Sequence, residues 1–106
     1  MNSSRLKQLL EFLKDEPHDP FNIYAVATEY RGSNPLMAKS YYDQLLSQHP
    51  DYLPTYYHAA HLYIDLNNND EAEKIFIKGI DLAKSQGNAL ALRELQNAYN
   101  NFLFDE

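Results

Sequence analysis

Apolar and polar residues recur along this chain with the three- and four-residue spacing of amphipathic helices. The clearest stretch runs from Pro54 to Ala83. Its first half carries small and aromatic residues on one helical face: Tyr56, Ala59, Ala60 and Tyr63. A polar turn follows, and its second half has an apolar stripe that begins at Ala72. This stretch therefore predicts two helices joined by a short turn.

The rest of the chain has the same kind of pattern, and polar turns and prolines divide it into further helical segments. Asp19-Pro20 and Asn34-Pro35 each place a capping side chain before a proline in the first helical turn, where the missing N–H does no harm. Helices are predicted near residues 3–16, 20–31, 35–48, 54–66, 70–85 and 88–104.

Several residues are predicted to begin or end these helices. Gly32 is predicted to close the second helix in a left-handed conformation, and Gly87 to end the fifth as its C-cap. Asn69 or Asp70 is predicted to cap the fifth helix, and Asn88 the sixth.

Two features of the second half predict close packing. Gly79 lies inside the fifth helix, where glycine costs about 1 kcal/mol relative to alanine, so we expect a close helix contact at this position. The run from Phe102 to Phe104 is too apolar for a free tail, so at least one of these residues is expected to fold back.

The helical pattern is repeated along the chain. Residues 23–30 (I-x2-V-A-x2-Y) match residues 56–63 (Y-x2-A-A-x2-Y) at an offset of 33, and residues 38–42 (A-x3-Y) match residues 72–76 (A-x3-F) at an offset of 34. Residues 92–99 (L-x2-L-Q-x2-Y) repeat the first pattern once more, 36 positions after residues 56–63. Such a period indicates a repeat architecture.

These motifs resemble the tetratricopeptide repeat, whose pattern is W-x2-L-G-x2-Y, then A-x3-F, then P, over about 34 residues. Tyr56 stands at the Trp position and Ala59 at the Leu position, while Lys84 replaces the closing proline that Pro50 supplies in the first copy. The resemblance implies an all-α fold, a short right-handed α-solenoid of antiparallel helix pairs with about six helices. It further implies one domain over residues 1–106, with a half-repeat helix at 3–16, repeats at 19–50 and 53–84, and a capping helix at 88–104.

Length and charge narrow the class of protein. The chain has 106 residues, enough for one domain, and its net charge of −6 works against nucleic acid or an anionic membrane as a partner. The sequence has no cysteine, no apolar run long enough to span a bilayer and no signal-peptide pattern at its start. A cytoplasmic location is therefore expected.

The sequence offers little that predicts chemistry. His58, His61 and Asp65 have a spacing that can present metal ligands on one helix, but no HExxH motif or further ligand supports them. The acidic pairs lie at helix ends, and no glycine-rich phosphate loop or nucleophile elbow is present. We therefore expect no enzyme activity, no cofactor and no bound metal.

The family resemblance implies a concave groove lined by the first helix of each repeat. It assigns to this groove Tyr24, Thr28, Arg31, Tyr57, His61, Ile64, Asp65, Arg93, Asn97 and Asn100. Aromatic rings, guanidiniums and amides suit the binding of an extended peptide, and the competing interpretation is a solvated face without a ligand. The family's chaperone-binding members use a Lys/Asn clamp, but Tyr57 and His61 occupy the clamp positions here.

The function expected from the sequence is a non-enzymatic protein–protein interaction or scaffolding module that binds a peptide segment in this groove. The alternative is a self-associating, homodimeric structural protein with no peptide ligand, in which tyrosine-rich faces or terminal helices pair two copies.

Overall fold

The computed structural model describes the backbone of residues 3–105 and the side chains of residues 4–105. The limits at residues 1 and 106 of the expected domain lie outside this range. The six helices are α1 (Ser3–Asp15), α2 (Pro20–Arg31), α3 (Pro35–Gln48), α4 (Pro54–Asp65), α5 (Asn69–Ser85) and α6 (Ala89–Phe104). No β-strand occurs in the described range. The predicted all-α fold is confirmed, and every predicted helix boundary lies within one residue of the observed one.

The capping side chains at three helix starts are those that the sequence predicts. Asp19, Asn34 and Asn88 each accept a hydrogen bond from a backbone N–H in the first turn of α2, α3 and α6. The bond from the Phe21 N–H to Asp19 Oδ1 is 2.9 Å long. These side chains satisfy backbone donors that have no partner inside the helix.

The cap of α5 corrects the sequence prediction. Asn68, and not Asn69 or Asp70, is the N-cap, and its Oδ1 accepts a hydrogen bond of 3.3 Å from the Glu71 N–H. The reason is that Asn67, two positions after the end of α4, takes the left-handed conformation, with φ +62°. Because asparagine tolerates this conformation, α4 ends early enough for Asn69 to be helical already.

The turn between α4 and α5 closes α4 with two backbone hydrogen bonds. The Asn68 N–H donates to the Tyr63 carbonyl and the Asn67 N–H donates to the Ile64 carbonyl. Each of these hydrogen bonds is 2.9 Å long. This is the Schellman arrangement, in which a left-handed residue lets two final carbonyls find donors.

The turn between α5 and α6 has the same arrangement, with glycine at the left-handed position. Gln86 is the C-cap, in the right-handed region, and Gly87 follows it with φ +66°. The Asn88 N–H donates a hydrogen bond of 3.0 Å to the Ala83 carbonyl, and the Gly87 N–H donates one of 3.1 Å to the Lys84 carbonyl. Gly87, the predicted C-cap, thus lies one position beyond the observed one.

The turn between α2 and α3 differs, and the prediction for Gly32 is wrong. Gly32 has φ −81°, in the right-handed region, and the N–H groups of Ser33 and Asn34 both donate to the Tyr30 carbonyl. The N-cap comes four positions after Tyr30, whereas five positions separate the matching residues, Tyr63 and Asn68, in the second copy. The shorter connection closes without a left-handed residue.

The chain divides into two compact units, one that extends to Thr55 and one that begins at Tyr56. In the first unit α1 packs on α2, and α2 packs on α3. The Arg5 guanidinium forms an ion pair of 2.8 Å with Glu29 and so ties α1 to α2. The buried core residues of α2 and α3 are Ile23, Val26, Ala27, Ala38, Tyr42 and Leu45.

The second unit contains most of α4, and all of α5 and α6. Its buried residues include Tyr56, Ala59, Ala60, Tyr63, Ala72, Ile75, Phe76, Ala83, Leu95 and Phe102. A Cβ atom added to Gly79 would lie 2.7 Å from the Cβ of Tyr56, which confirms the close contact predicted at this glycine. Phe102 is 8% exposed, so it folds back as expected. The Tyr99 hydroxyl donates a 2.9 Å hydrogen bond to Glu73 and joins α6 to α5.

None of the helices in the described range combines the length and the apolar character that a membrane span requires.

Candidate functional site

A cleft of about 410 Å³ lies between α4 and α6 in the second unit. Its volume is at the lower end of the range found for ligand pockets, roughly 300–1,000 Å³. The lining residues are Tyr57, His61 and Ile64 from α4, Glu94, Asn97, Ala98, Asn101 and Phe102 from α6, and Asp105, the C-cap of α6.

Helical geometry explains why these residues meet at one cleft. Tyr57, His61 and Ile64 are four and three positions apart, so they form one stripe along α4. The lining residues from Glu94 to Asp105 follow one another at alternating steps of three and one, which also places them on one helical face. The cleft therefore has one wall from each helix.

Aromatic rings connect the α4 wall to the core of the unit. The ring centroids of Tyr57 and His61 are 4.5 Å apart, and the His61 ring meets the Phe76 ring edge-on at 5.7 Å. Phe76 is fully buried and lies 5.7 Å from the Phe102 ring on the α6 side. Tyr57 is 36% exposed, so its ring is accessible from the cleft while its neighbours hold it in place.

The hydrogen bond of His61 fixes which ring nitrogen carries the proton. His61 Nδ1 lies 2.8 Å from the Tyr57 carbonyl oxygen, which can only accept, so Nδ1 is the donor. In the neutral imidazole Nε2 is then an acceptor. The α4 wall thus has a ring acceptor beside the Tyr57 ring.

The charge of the lining is negative. Glu94 and Asp105 are both exposed, and the lining residues include no lysine or arginine. Asn97 and Asn101 add two amides that both donate and accept hydrogen bonds. The site is therefore suited to polar contacts and to positive charge, next to an aromatic surface.

The structure brings together four of the groove residues assigned in the second unit, which are Tyr57, His61, Ile64 and Asn97. The other three, Asp65, Arg93 and Asn100, are exposed residues of α4 and α6 outside the cleft lining. Their place in a groove stays a prediction. The sequence analysis missed Glu94, Ala98, Asn101, Phe102 and Asp105. The helical spacing from Asn97 along α6 was the signal that could have identified them.

The groove residues assigned in the first unit all lie on α2. The ring of Tyr24 is half-buried, with its centroid 5.9 Å from that of Tyr52, and the Thr28 hydroxyl is 3.0 Å from the Tyr42 hydroxyl. Burial raises the pKa of Tyr24, and its hydrogen bond with Thr28 partly offsets the rise. Burial also raises the pKa of Tyr42, while the hydrogen bond with Thr28 and the positive charge of Arg31 lower it in part. Whether Tyr24, Thr28 and Arg31 contact a ligand stays a prediction.

The His58, His61 and Asp65 set does not form a metal site in the described part of the chain. No three side chains of His, Cys, Asp or Glu come together there as a ligand set.

Known proteins share this chain's repeats and fold. The sequence profile of the tetratricopeptide repeat matches residues 34–95. Among curated proteins, no sequence matches significantly. The crystal structure of a tetratricopeptide repeat domain protein from Salinibacter ruber is similar at 36% identity and a TM-score of 0.79, over 83% of this chain and 99% of that one.

A solution structure of a tetratricopeptide repeat domain protein from the same organism is similar at 36% identity and a TM-score of 0.77. It covers 82% of this chain and 89% of the other. Because the profile spans more than half of the chain and the identity extends over most of it, this chain belongs to the tetratricopeptide repeat family.

Proposed function

We propose that this chain is a non-enzymatic protein-interaction module that binds an extended peptide segment at the cleft between α4 and α6. The tetratricopeptide repeat is in general a protein–protein interaction fold, which supports the broad class. The single observation that supports the site is the accessible ring of Tyr57 at the wall of a cleft with polar residues on its opposite side. The cytoplasmic location inferred from the sequence stays a prediction.

Tyr57 has the properties of a central contact. Its ring is backed by His61 at 4.5 Å, so little side-chain freedom remains to be lost when a ligand binds. Tyrosine combines a large contact area with a hydroxyl that can orient the ligand. The remaining residues assigned from the sequence stay proposed ligand contacts, each within its own unit: Tyr24, Thr28 and Arg31 in the first, and Asp65, Arg93 and Asn100 in the second.

The test begins with affinity capture from the source cell and identification of the bound protein. With that partner in hand, Tyr57→Ala should weaken binding by about 1–2 kcal/mol, as the loss of a buried aromatic anchor does. Ile77→Ala is a matched control because Ile77 is a large, exposed residue of α5 outside the cleft. Far-UV circular dichroism should show the same helix content for both variants.

One result would contradict the proposal. If Tyr57→Ala and Tyr24→Ala both bind the partner as tightly as the parent does, neither aromatic residue is part of the binding site.

A second candidate function is self-association. It is favoured by Phe12 and Phe21 of the first unit, whose side chains are 57% and 58% exposed. Light scattering distinguishes a monomer of 12.3 kDa from a dimer of twice that mass. If the chain is a dimer through this surface, Phe12→Ser combined with Phe21→Ser should return it to the monomer mass.

A further inference from the structure

We infer that the cleft between α4 and α6 takes a guanidinium group, an arginine side chain of the bound segment, against the ring of Tyr57 and in the negative field of Glu94 and Asp105. The inference rests on the proposed function, since it names the anchoring group of a ligand at the same cleft. It depends on three properties of the lining, which are its charge, its aromatic wall and its hydrogen-bond acceptors.

Side chains of the described residues leave the charge of the cleft unneutralised. In the described range, neither Glu94 nor Asp105 has an ion-pair or hydrogen-bond partner among the side chains. α4 contains no lysine or arginine, and the single arginine of α6, Arg93, is not among the lining residues. With the net charge of −6 for the whole chain, the field at the cleft favours a cation and disfavours an acidic or phosphorylated segment.

The aromatic wall selects a planar cation. The Tyr57 ring is accessible, and a positive charge over the face of an aromatic ring is attracted by the ring quadrupole. A guanidinium is planar and more weakly hydrated than an ammonium group, so it stacks on a ring more readily than lysine does. Tyr57 therefore distinguishes arginine from a general positive charge.

The polar groups of the cleft match the donors of a guanidinium. Its N–H groups point outwards in one plane and cannot accept hydrogen bonds. The α6 wall offers carboxylates at Glu94 and Asp105 and amide oxygens at Asn97 and Asn101, and the α4 wall offers Nε2 of neutral His61. These acceptors are spread along the cleft, since the eleven positions from Glu94 to Asp105 span about 16 Å of helix, and a guanidinium at Tyr57 would use those nearest to it.

The first part of the test is an NMR titration of the full chain with four acetylated pentapeptide amides of sequence Ala-Ala-Xaa-Leu-Ala. Position Xaa is arginine, lysine, citrulline or glutamate. Citrulline has nearly the shape of arginine but no charge. The arginine peptide should shift the amide signals of Tyr57, His61 and Asn97. It should bind about tenfold tighter than the citrulline peptide, the difference expected for charge-assisted hydrogen bonds. The lysine peptide should bind with intermediate affinity, and the glutamate peptide more weakly than citrulline.

The second part removes the charge from the protein without changing its shape. Glu94→Gln combined with Asp105→Asn should abolish the preference for arginine over citrulline. Asp81→Asn is the matched control because Asp81 is an exposed carboxylate of α5 outside the cleft, and it should keep the preference. Circular dichroism checks that all three proteins have the same helix content.

Two results overturn the inference. If the arginine and citrulline peptides shift the cleft signals with equal affinity, the guanidinium is not recognised, although the cleft still binds peptide and the proposed function stands. If no peptide shifts the cleft signals at millimolar concentration, the cleft has no affinity for arginine. The proposed function is then decided separately by the effect of Tyr57→Ala on the captured partner.

Discussion

At the scale of single residues, the turns show how one backbone angle decides where helices begin and end. Asn67 and Gly87 occupy matching left-handed positions, with φ of +62° and +66°. Gly32 occupies a superficially similar place after α2 but has φ −81°. All three turns connect consecutive helices. Two of them need a residue that tolerates positive φ, and the turn at Gly32 does not.

Replacement of the two turn glycines by alanine should affect stability differently. Gly87→Ala places a Cβ on a left-handed residue and should lower the free energy of unfolding by about 1–2 kcal/mol. Gly32→Ala meets no atom within 4 Å and has an allowed φ. It should leave stability unchanged or raise it by up to about 1 kcal/mol, because alanine reduces the freedom of the unfolded chain.

Urea unfolding of the parent and the two variants measures these differences. Equal losses for Gly32→Ala and Gly87→Ala would contradict the assignment of the two backbone conformations.

The helix starts show what the sequence can and cannot specify at this scale. At Asp19 and Asn34 a capping side chain is followed directly by proline. This pair of residues indicates a helix that begins at the proline. Before α5 the sequence has four candidate caps in a row, from Asn67 to Asp70. All four are asparagine or aspartate, and both residue types can cap a helix, so the choice of Asn68 depends on which neighbour takes the left-handed conformation. A single-residue pattern does not contain that information.

At the scale of helices, the contact between α4 and α5 is set by a residue without a side chain. Gly79 lies in the middle of α5, and an added Cβ would lie 2.7 Å from the Cβ of Tyr56 and 3.3 Å from a methyl group of Leu95. A Cβ cannot move away without its backbone, so the Tyr56 contact is the rigid one. The two helices approach this closely because position 79 is glycine.

Gly79→Ala is therefore expected to destabilise the protein despite the better helix propensity of alanine. Propensity alone would add about 1 kcal/mol of stability. Overpacking at the Tyr56 contact should exceed this gain and lower the free energy of unfolding by about 1–3 kcal/mol.

The measurement is again urea unfolding, with Gly32→Ala as the control for a glycine that has open space around it. An increase in stability at position 79 equal to the propensity difference would show that α4 and α5 are not in close contact there.

The residues that line the cleft can be predicted from the sequence on α4, but much less well on α6. On α4, the match to the repeat pattern fixes which residues are buried, so Tyr57, His61 and Ile64 follow as the neighbouring stripe. On α6 the match is weaker, and the rotation of the helix about its axis depends on how Leu95 and Phe102 pack. The sequence alone does not set that rotation, so it does not identify Glu94 as a lining residue.

At the scale of the whole molecule, tyrosine dominates the response to alkaline pH. The chain has nine tyrosines. The pKa is raised above the ordinary value of 10.0 for five of them, which are Tyr24, Tyr41, Tyr42, Tyr52 and Tyr99. Burial is the main cause at the first four. At Tyr99 the main cause is the hydrogen bond to Glu73, which holds the phenol proton.

The sign of the pH dependence follows from these shifts. Each raised pKa means that the folded chain binds the phenol proton more tightly than the unfolded chain does. The stabilisation is fully present below pH 10 and is lost as the pH rises from 10 through the higher folded pKa values. The urea midpoint should therefore be lower at about pH 11 than at about pH 8.

Tyr42→Phe tests the contribution of the most buried phenol. The variant loses the hydrogen bond to Thr28 at all pH values, but its further loss of stability between the two pH values should be smaller than that of the parent. A urea midpoint of the parent that stays constant or rises over this range would contradict the raised pKa values.

The asparagines that begin α5 and α6 have a further consequence for how the second unit opens. The N–H of Asn68 closes α4 through the Tyr63 carbonyl while its side chain begins α5, and Asn88 does the same between α5 and α6. Fraying that displaces either asparagine therefore disturbs both helices that meet at the turn. We expect opening there to involve the end of one helix and the start of the next together.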